Sequence, residues 1–509
     1  MEAMSGRGAL VFIGFMGAGK STAARNVAAA LGVRHLDADR ELERELGETI
    51  EAFFDREGEE AFRRREEELV LRLLARPDAQ VVALGGGAVQ SELVREALRE
   101  HVVVHLEVDP ADAWRRASGK GRPLARDRNR FEQLHADRRA VYEAVADATL
   151  PPADPGQARR ALPALLALRE APAGTRMVWA HAASGEYPVF VGDGLVGTGF
   201  FWPADGRRFV VTDEHVARHH RIQGDWQLAI PPGEQEKTLA RVEAVLREMA
   251  RGGVERGDLV VALGGGVVGD LAGFCAAIYQ RGIRVVQVPT TLVAQVDSAY
   301  GGKTGVDLPE GKNYAGAYHQ PAAVLVDPSV LATLPAEERA AGYAEVVKTA
   351  LIAGGPLWAR VRQGGEPDLA TIMGCLRTKL AVVAEDERDA GRRQVLNLGH
   401  TIGHAIEAAT GYARYRHGEA VAIGLLCALR LSGRDALRAE VAELLAAHGL
   451  PTRFSGAEPV QVAALVERDK KRRGGRVPFV LLEAPGEVTP GHEVDPQDVR
   501  AAIEEVWEG

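Results

Sequence analysis

Two stretches of this chain gather the residue types that phosphate chemistry needs. The first is Gly14-Phe15-Met16-Gly17-Ala18-Gly19-Lys20-Ser21, followed by Thr22. Glycines let backbone N–H groups wrap a phosphate chain without Cβ clashes. A lysine reaches the outer phosphates, and a serine hydroxyl ligates Mg2+. The stretch follows the β-rich run ALVFI and opens the helical run STAARNVAAAL, the strand–loop–helix context that GxxxxGK[ST] requires. It predicts ATP and Mg2+ binding by Gly17, Gly19, Lys20, Ser21 and Thr22, with Ser21 on the metal. Asp37 and Asp39 come next, two apart after a short apolar stretch. A strand there points both carboxylates to one side, one placed to hold Mg2+ through water and the other to accept from a substrate hydroxyl. Arg63 stands in the helical context GEEAFRRREEE, and VVALGGGAV at 81–89 reads as a buried strand opening into Gly85, Gly86 and Gly87. An arginine beside glycine N–H groups suits a carboxylate.

The second stretch nearly repeats those letters, as VVALGGGVVGD at 260–270. Strand, tight turn and helix start again suit a pyrophosphate, although the spacing is not the GxGxxG of a standard dinucleotide fold. Thr290, Thr291, Asp297, Lys303, Lys312 and Asn313 follow within 24 residues, and two lysines flanking a Gly-rich turn could bind an anion. Glu345 and Lys348 lie three apart in YAEVVKTAL, on one helix face. His400 and His404 share a helix face in NLGHTIGHAIE, and His417 follows in RYRHGEAVAIG. Paired histidines with a distant carboxylate form a plausible Zn2+ set. Thr401 stands where HExxH has its glutamate, which argues against a zincin protease. Two histidines on one helix need not both be ligands.

Such residues need a scaffold, and the chain alternates short β-branched runs with longer helical patterns, an α/β architecture. A Pro-, Ala- and Gly-rich passage at 151–174 marks a boundary, with a short helix inside it, and MVWAHAASGEYPVFVGDGL beyond it predicts a strand pair. From about 335 the pattern is mainly helical until RVPFVLLEAPGEV. The expected division is a P-loop unit with a parallel sheet over 1–165, a linker over 166–176, an α/β half over 177–335 and a helical half over 336–509. A length of 509 residues accommodates these units. The net charge of −9 argues against a nucleic-acid partner. Cys275, Cys375 and Cys427 form no CxxC, so neither a disulfide framework nor a thiolate metal site is expected. No run of about eighteen apolar residues predicts a membrane span, and the N-terminal residues lack a signal-peptide core. Together these features point to a cytoplasmic protein.

In order and spacing, GFMGAGKS, DAD, GEEAFR, GGG and GRPL over residues 8–150 resemble shikimate kinase. That resemblance implies ATP-dependent phosphorylation of shikimate at its 3-hydroxyl. It places Asp39 on substrate hydroxyls, Arg63 and Arg138 (or its neighbour Arg139) on the carboxylate beside Gly85–Gly87, and Arg122 on a lid over ATP. Lys20, Asp39 and Arg122 would carry the chemistry. Gluconate kinases and other small-molecule kinases share the P-loop.

Residues 177–509 resemble 3-dehydroquinate synthase, through PGEQEK, GGGVVGD, PTTLxAxVDS, GGKTGVD, GKN, Glu345-x-x-Lys348, NLGHTIGHAIE, HGEAVAIG and DKK. That resemblance implies Zn2+ (or Co2+) on Glu345, His400 and His417, with His404 a substrate contact. It implies NAD+ near Asp213, Glu234, Lys237, Gly265, Gly266, Asp270, Thr290, Thr291, Lys303 and Lys312. Substrate contacts would be Asp297, Lys303, Lys312, Asn313, Lys348, Lys379, Arg393, Asn397 and one or both of Lys470 and Lys471, with Lys303, Lys348 and His404 catalytic. The implied reaction turns 3-deoxy-arabino-heptulosonate 7-phosphate into 3-dehydroquinate and phosphate, NAD+ being consumed and regenerated in each turnover, in a homodimer formed through this unit. Two positions depart from the family pattern: Asp213-Glu214-His215 replaces D-x-N, and DSAYGGK replaces DSS[IV]GGK. Polyol dehydrogenases and other sugar-phosphate cyclases share the scaffold, and either half could be a non-catalytic module. Both halves point to the shikimate pathway, which favours a bifunctional enzyme acting on small molecules. The repeated VVALGGG then reads as convergence on one local solution, since its flanks share nothing else.

Overall fold

The computed structural model describes residues 8–119, 122–152, 154–467 and 477–509. Lys470 and Lys471 lie outside the described residues. The chain groups into two units, residues up to Ala180 with Tyr187–Gly192, and His181–Glu186 with Asp193–Gly509.

Short, largely apolar runs, richest in Val, Leu and Ile at the sheet centre, become parallel strands, because such strands are covered on both sides. In the first unit these are β1 (Leu10–Ile13), β2 (His35–Asp37), β3 (Val81–Ala83), β4 (Val102–Leu106), β5 (Ala148–Leu150) and β6 (Arg176–Ala182), with β7 (Gly185–Val191) beside β6. Their spatial order is β2-β3-β1-β4-β5-β6 and the pairing is parallel throughout. Because β6 pairs with β5, this unit continues past the expected 166–176 linker, and two short helices within the 151–174 passage, Gln157–Arg160 and Leu162–Ala167, precede the expected strand pair. Helices α1 (Lys20–Leu31), α2 (Ala38–Leu46), α3 (Ile50–Leu74, broken at Gly58) and α4 (Arg128–Val145) surround the sheet. Leu42, Phe53, Phe62, Leu69, Phe131 and Tyr142 pack with Val11 and Ile13 of the central strand.

The sheet of the second unit has the order β14-β11-β10-β8-β9, also parallel. Its strands are β8 (Arg208–Asp213), β9 (Trp226–Ile230), β10 (Leu259–Gly264), β11 (Arg284–Pro289) and β14 (Ala323–Val326). Between β11 and β14 the chain leaves the sheet to make an antiparallel hairpin, β12 (Lys303–Leu308) and β13 (Gly311–Tyr318). Helix α5 (Gly266–Ile278) starts directly from the second GGG and packs Val268, Leu271 and Ala272 against Val260 and Ala262. The rest is mainly helical, as the pattern predicts: α6 (Ala336–Ala353), α7 (Leu369–Glu385), α8 (His400–Ala409) and α9 (His417–Leu431), with a final antiparallel pair, β15 (Phe479–Ala484) and β16 (Glu487–His492).

Glycines set how closely the helical half can close. On α9, a Cβ at Gly418 would stand 2.7 Å from Ala341 Cα of α6, and one at Gly424 would stand 2.8 Å from Gly403 N of α8. These contacts bring the N-terminus of α9 against α6 and the N-terminal turn of α8 against the middle of α9. Gly424→Ala therefore overpacks this crossing. It is expected to destabilise the second unit by about 1–3 kcal/mol, seen as a lower thermal transition.

Candidate active sites

In the first unit β1 ends at the Gly-rich loop, where Gly14, Gly17 and Gly19 have φ of 141°, 84° and 90°, values costly for residues with a Cβ. A Cβ at Gly17 would also meet Ala113 O at 2.8 Å. Lys20 begins α1 and is buried, and its ammonium donates to the Gly14 carbonyl (2.9 Å) and the Phe15 carbonyl (3.0 Å). It thus lies folded over the loop it serves. Burial lowers its pKa to about 8, while the nearby Asp39 carboxylate pulls the other way. Ser21, exposed, and Thr22 follow in the first turn.

The two acidic residues after β2 do not share a strand face. The strand stops at Asp37, whose carboxylate accepts from Arg40 N at 3.3 Å and caps α2. Aspartate is a strong N-cap, so Asp39 falls in the first helical turn instead. Burial raises the Asp39 pKa, and Lys20 opposes the rise.

Arg63 projects from α3 and pairs with Glu66 at 2.5 Å. A Cβ at Gly87 would collide with the Arg63 guanidinium, and one at Gly85 would stand 2.7 Å from Asp39 Oδ1 with Glu66 also in contact. Arg63, Glu66, Asp39 and the first GGG therefore form one cluster. Glu66, buried in a Glu-rich run, is a member that sequence alone did not mark. Burial raises its pKa and Arg63 works against the rise. On α4 the two candidate arginines separate. Arg138 is buried and donates to the Gly86 carbonyl at 3.1 Å, as does Tyr142 at 2.5 Å. Arg139 is exposed and pairs with Glu143 at 2.8 Å. Arg122 is exposed, and its charge acts on both Lys20 and Asp39.

In the second unit β10 runs into Gly265 and Gly266 at the start of α5. A Cβ at Gly265 would meet Thr291 Cγ2 at 2.8 Å, and one at Gly266 would meet Ser298 Oγ at 3.2 Å. Thr290 is buried, and its hydroxyl has no hydrogen-bond partner among the described residues. Lys237, buried, pairs with the partly buried Asp270 at 2.6 Å. The Asp213 carboxylate accepts from the backbone of His215 (2.8 Å) and Val216 (2.9 Å), so it closes a turn at the end of β8. Glu234 stands 3.6 Å from Lys312 on the hairpin.

Charges converge next to this strip. Asp297, in a π-helical turn after β11, lies 2.9 Å from Lys379 and 3.8 Å from Lys348. Burial opposes its ionisation, but the two lysines hold its pKa low. Burial also brings Lys379 down to about 8. Lys303 pairs with Asp389 at 2.5 Å. Arg393, almost wholly buried, donates to the carbonyls of Glu387 (2.6 Å) and Gly301 (3.0 Å), and its charge reaches Lys303 and Lys379. Asn397 follows on the same loop and donates to Gln394 O at 3.2 Å. Asn313, exposed with φ 56°, is held by its backbone N–H to Asp307 at 2.7 Å. Tyr300, where the family pattern has Ile or Val, is buried and donates to Gln295 O at 2.6 Å, holding the π-turn closed.

Beside this cluster, Glu345 Oε1 on α6 stands 3.6 Å from His400 Nε2 and 3.5 Å from His417 Nε2. Glu345 is 1% exposed, and among the described residues neither of its oxygens accepts a well-formed hydrogen bond, although Lys348 pairs with it. Burial works against its charge, and Lys348, His400 and His417 keep its pKa well below the carboxylate range. A buried carboxylate facing two imidazole nitrogens has the donor chemistry of a Zn2+ or Co2+ site. The atoms of His400, His404 and His417 also lie within 4.8 Å of one another. Between the two triads, the one with Glu345 has the stronger case, because Glu345 is a buried anion whose oxygens accept no well-formed hydrogen bond among the described residues, whereas His404 is exposed. Glu407, one further buried carboxylate that sequence reasoning missed, lies 3.5 Å from His417 Nδ1 and 3.0 Å from Lys312. Burial pushes its pKa up, but His417 and Lys312 pull it down to about 2.

Known protein families match both parts of the chain. The shikimate kinase family model matches residues 16–161, that of 3-dehydroquinate synthase N-terminal matches 227–341, and that of 3-dehydroquinate synthase C-terminal matches 342–472. The 3-dehydroquinate synthase of Halorhodospira halophila is 44% identical over 349 residues, covering 63% of this chain and 97% of that protein. That of Caulobacter vibrioides is 45% identical over 327 residues, covering 58% and 88%. Two solved structures share the fold at lower identity. One is 2-epi-5-epi-valiolone synthase from Streptomyces hygroscopicus with NAD+ and Zn2+ bound, at 26% identity and TM-score 0.58, covering 63% of this chain and 96% of that one. The other is 2-deoxy-scyllo-inosose synthase complexed with carbaglucose-6-phosphate, NAD+ and Co2+, at 25% identity and TM-score 0.58, covering 65% and 100%. Identity is thus much higher to the dehydroquinate synthases than to these two cyclases. The chain belongs to the 3-dehydroquinate synthase family, and a shikimate kinase domain precedes its synthase unit.

Proposed function

We propose that the chain performs two reactions: phosphorylation of shikimate to shikimate 3-phosphate with ATP and Mg2+, and conversion of 3-deoxy-arabino-heptulosonate 7-phosphate to 3-dehydroquinate and phosphate. The observation that carries the reading is the buried Glu345 carboxylate facing His400 and His417, set beside a cluster of Lys348, Lys379, Lys303 and Arg393. Metal donors and anion-binding cations in one place suit a phosphorylated polyol.

In the kinase unit, Gly17, Gly19 and the start of α1 cradle the nucleotide phosphates, and Ser21 ligates Mg2+. Lys20 exchanges its loop carbonyls for phosphate oxygens and neutralises charge that builds up during transfer. Asp39 accepts the proton of the attacking 3-hydroxyl. Arg63 and Arg138 clamp the shikimate carboxylate beside Gly85–Gly87, with Glu66 orienting Arg63. Arg122 closes over ATP. Arg138→Lys removes a fork that a point charge cannot replace. It is expected to raise the shikimate KM by roughly 10- to 100-fold, the worth of a charge-assisted bond. Arg139→Lys is expected to leave it within about twofold, as an exposed substitution should. Steady-state kinetics at saturating ATP distinguishes the two.

In the synthase unit, Gly265, Gly266, Thr290, Thr291, Asp213, Glu234, Lys237 and Asp270 surround the cofactor, and Glu345, His400 and His417 hold the metal. Bound NAD+ supplies a hydride acceptor, and a bound Zn2+ or Co2+ ion supplies the Lewis acid that acidifies the substrate alcohol. Lys303, Lys312, Lys379 and Arg393 pair with the substrate phosphate and carboxylate. Asp297, Asn313 and Asn397 orient its hydroxyls, and Lys348, held between Glu345 and Asp297, fixes the charge balance at the reacting carbon. His404, exposed over the triad, is placed to move a proton to or from a substrate oxygen. The reading includes a homodimer formed through the synthase unit and a cytoplasmic enzyme. Among the described residues no helix is long and apolar enough to cross a membrane. Assay of both reactions on one preparation tests the assignment, and size measurement by light scattering tests the dimer.

A further inference from the structure

The catalytic assignments above leave Glu407 without a role. It sits on α8, one turn beyond His404, and is 1% exposed. A carboxylate buried so completely is costly unless cations or donors surround it. Its two oxygens are divided. Oε1 accepts from Lys312 at 3.0 Å, and Oε2 faces His417 Nδ1 at 3.5 Å. The other ring nitrogen of His417, Nε2, is the one that faces Glu345. Lys312 is on β13, stands 5.1 Å above the Tyr412 ring and lies 3.6 Å from Glu234. Tyr412 in turn donates its backbone N–H to the Glu407 carbonyl at 2.7 Å. One side chain therefore joins the back of a proposed metal ligand to the hairpin that carries an anion-binding lysine.

We infer that Glu407 is a positioning residue, which orients His417 toward the metal through Nδ1 and holds Lys312 in the substrate site. A carboxylate behind a ligating imidazole fixes its tautomer and ring angle and makes the other nitrogen a better donor. The same carboxylate keeps the flexible lysine stem of Lys312 in one place. Placement of the hairpin and strength of the metal site are thereby linked through one group. The inference rests on the metal and substrate assignments proposed above.

The test is a cycle of E407Q, K312M and the double variant in the full chain. Zn2+ affinity is measured by competition with a chromophoric chelator, and Co2+-loaded protein is examined by visible absorption. Steady-state kinetics with heptulosonate phosphate gives KM separately from kcat. Glu407→Gln keeps the shape and loses the charge. It is expected to weaken Zn2+ binding by about 10- to 100-fold, to shift the Co2+ bands, and to raise KM. Lys312→Met is expected to raise KM by a similar factor while leaving Zn2+ affinity within about twofold. In KM the double variant adds nothing to Lys312→Met alone, the mark of two residues acting as a unit. Wild-type Zn2+ affinity and Co2+ spectrum in E407Q would overturn the inference, and so would KM effects that multiply in full. Wild-type chain that binds no Zn2+ overturns the metal assignment itself, and the inference with it. If Glu407→Gln does not fold, Glu407→Asp serves. Its shorter arm cannot serve both partners, so either Zn2+ affinity or KM moves, and movement of neither overturns the inference.

Discussion

Glu345→Gln lowers phosphate release from heptulosonate phosphate by about 1,000-fold or more and leaves shikimate phosphorylation unchanged. The size follows from what is lost. A Lewis acid contributes several kcal/mol of charge stabilisation, and each ~1.4 kcal/mol is tenfold in rate. The substitution is nearly isosteric, and Glu345 is flanked by Lys348, His400 and His417, so its charge is the main thing removed. That removal leaves Lys348 buried with Asp297 as its one remaining acidic partner among the described residues, and some loss of stability in the second unit is expected alongside. Metal content measured together with rate separates the effects. A folded E345Q protein with bound metal and wild-type phosphate release would contradict the ligand assignment.

Lys20→Met has the complementary effect. Kinase kcat/KM falls by about 100- to 1,000-fold, the loss expected when a charge-stabilising donor is removed from a phosphoryl-transfer site, and phosphate release by the synthase unit is untouched. The pH profile gives the same residue a second signature. Burial puts the Lys20 pKa at about 8, below its value in an unfolded chain, so the folded state resists charging this group. The contribution of Lys20 to stability therefore improves as pH rises from 8 toward 10.5 and is unfavourable below 8. Removing the charge does not unfold the protein at neutral pH, and lost activity reports on chemistry. Because the charged form is the working one, wild-type kinase kcat/KM is expected to fall about tenfold per pH unit above about 8. A flat profile to pH 9.5 would count against a working Lys20 ammonium.

The parts of the sites that could be read from sequence are those whose chemistry is contiguous in the chain. The loop Gly14–Ser21 and both GGG turns carry their own geometry, since strand, glycines and helix start are adjacent. The two GGG turns also differ as their flanks do. The first meets the side chains of Arg63, Glu66 and Asp39, whereas the second opens helix α5 and is covered by Thr291. That Arg138 rather than Arg139 is buried was legible in the helix period, because Phe131, Arg138 and Tyr142 share the buried face of α4. Other features depend on packing between distant segments. Glu66 and Glu407 look like ordinary surface glutamates until α3 and α8 are placed against their neighbours. The close approaches at Gly418 and Gly424 require knowing which helix lies opposite. Asp39 was misplaced on a strand end because Asp37, by capping α2, stops β2 and sends Asp39 into the first helical turn.

The central claim is that one chain carries a metal- and NAD-dependent synthase and an independent kinase. The most direct measurement follows phosphate release from heptulosonate phosphate with NAD+ present, before and after the chain is stripped of metal by chelation and dialysis. Shikimate phosphorylation with ATP and added Mg2+ is followed on the same samples. The predicted result is that chelation abolishes phosphate release, Zn2+ restores it, and kinase activity is the same in all three states. Failure of folded, Zn2+-loaded and NAD+-supplied protein to release phosphate would contradict the synthase assignment and turn the search to polyols and other sugar phosphates.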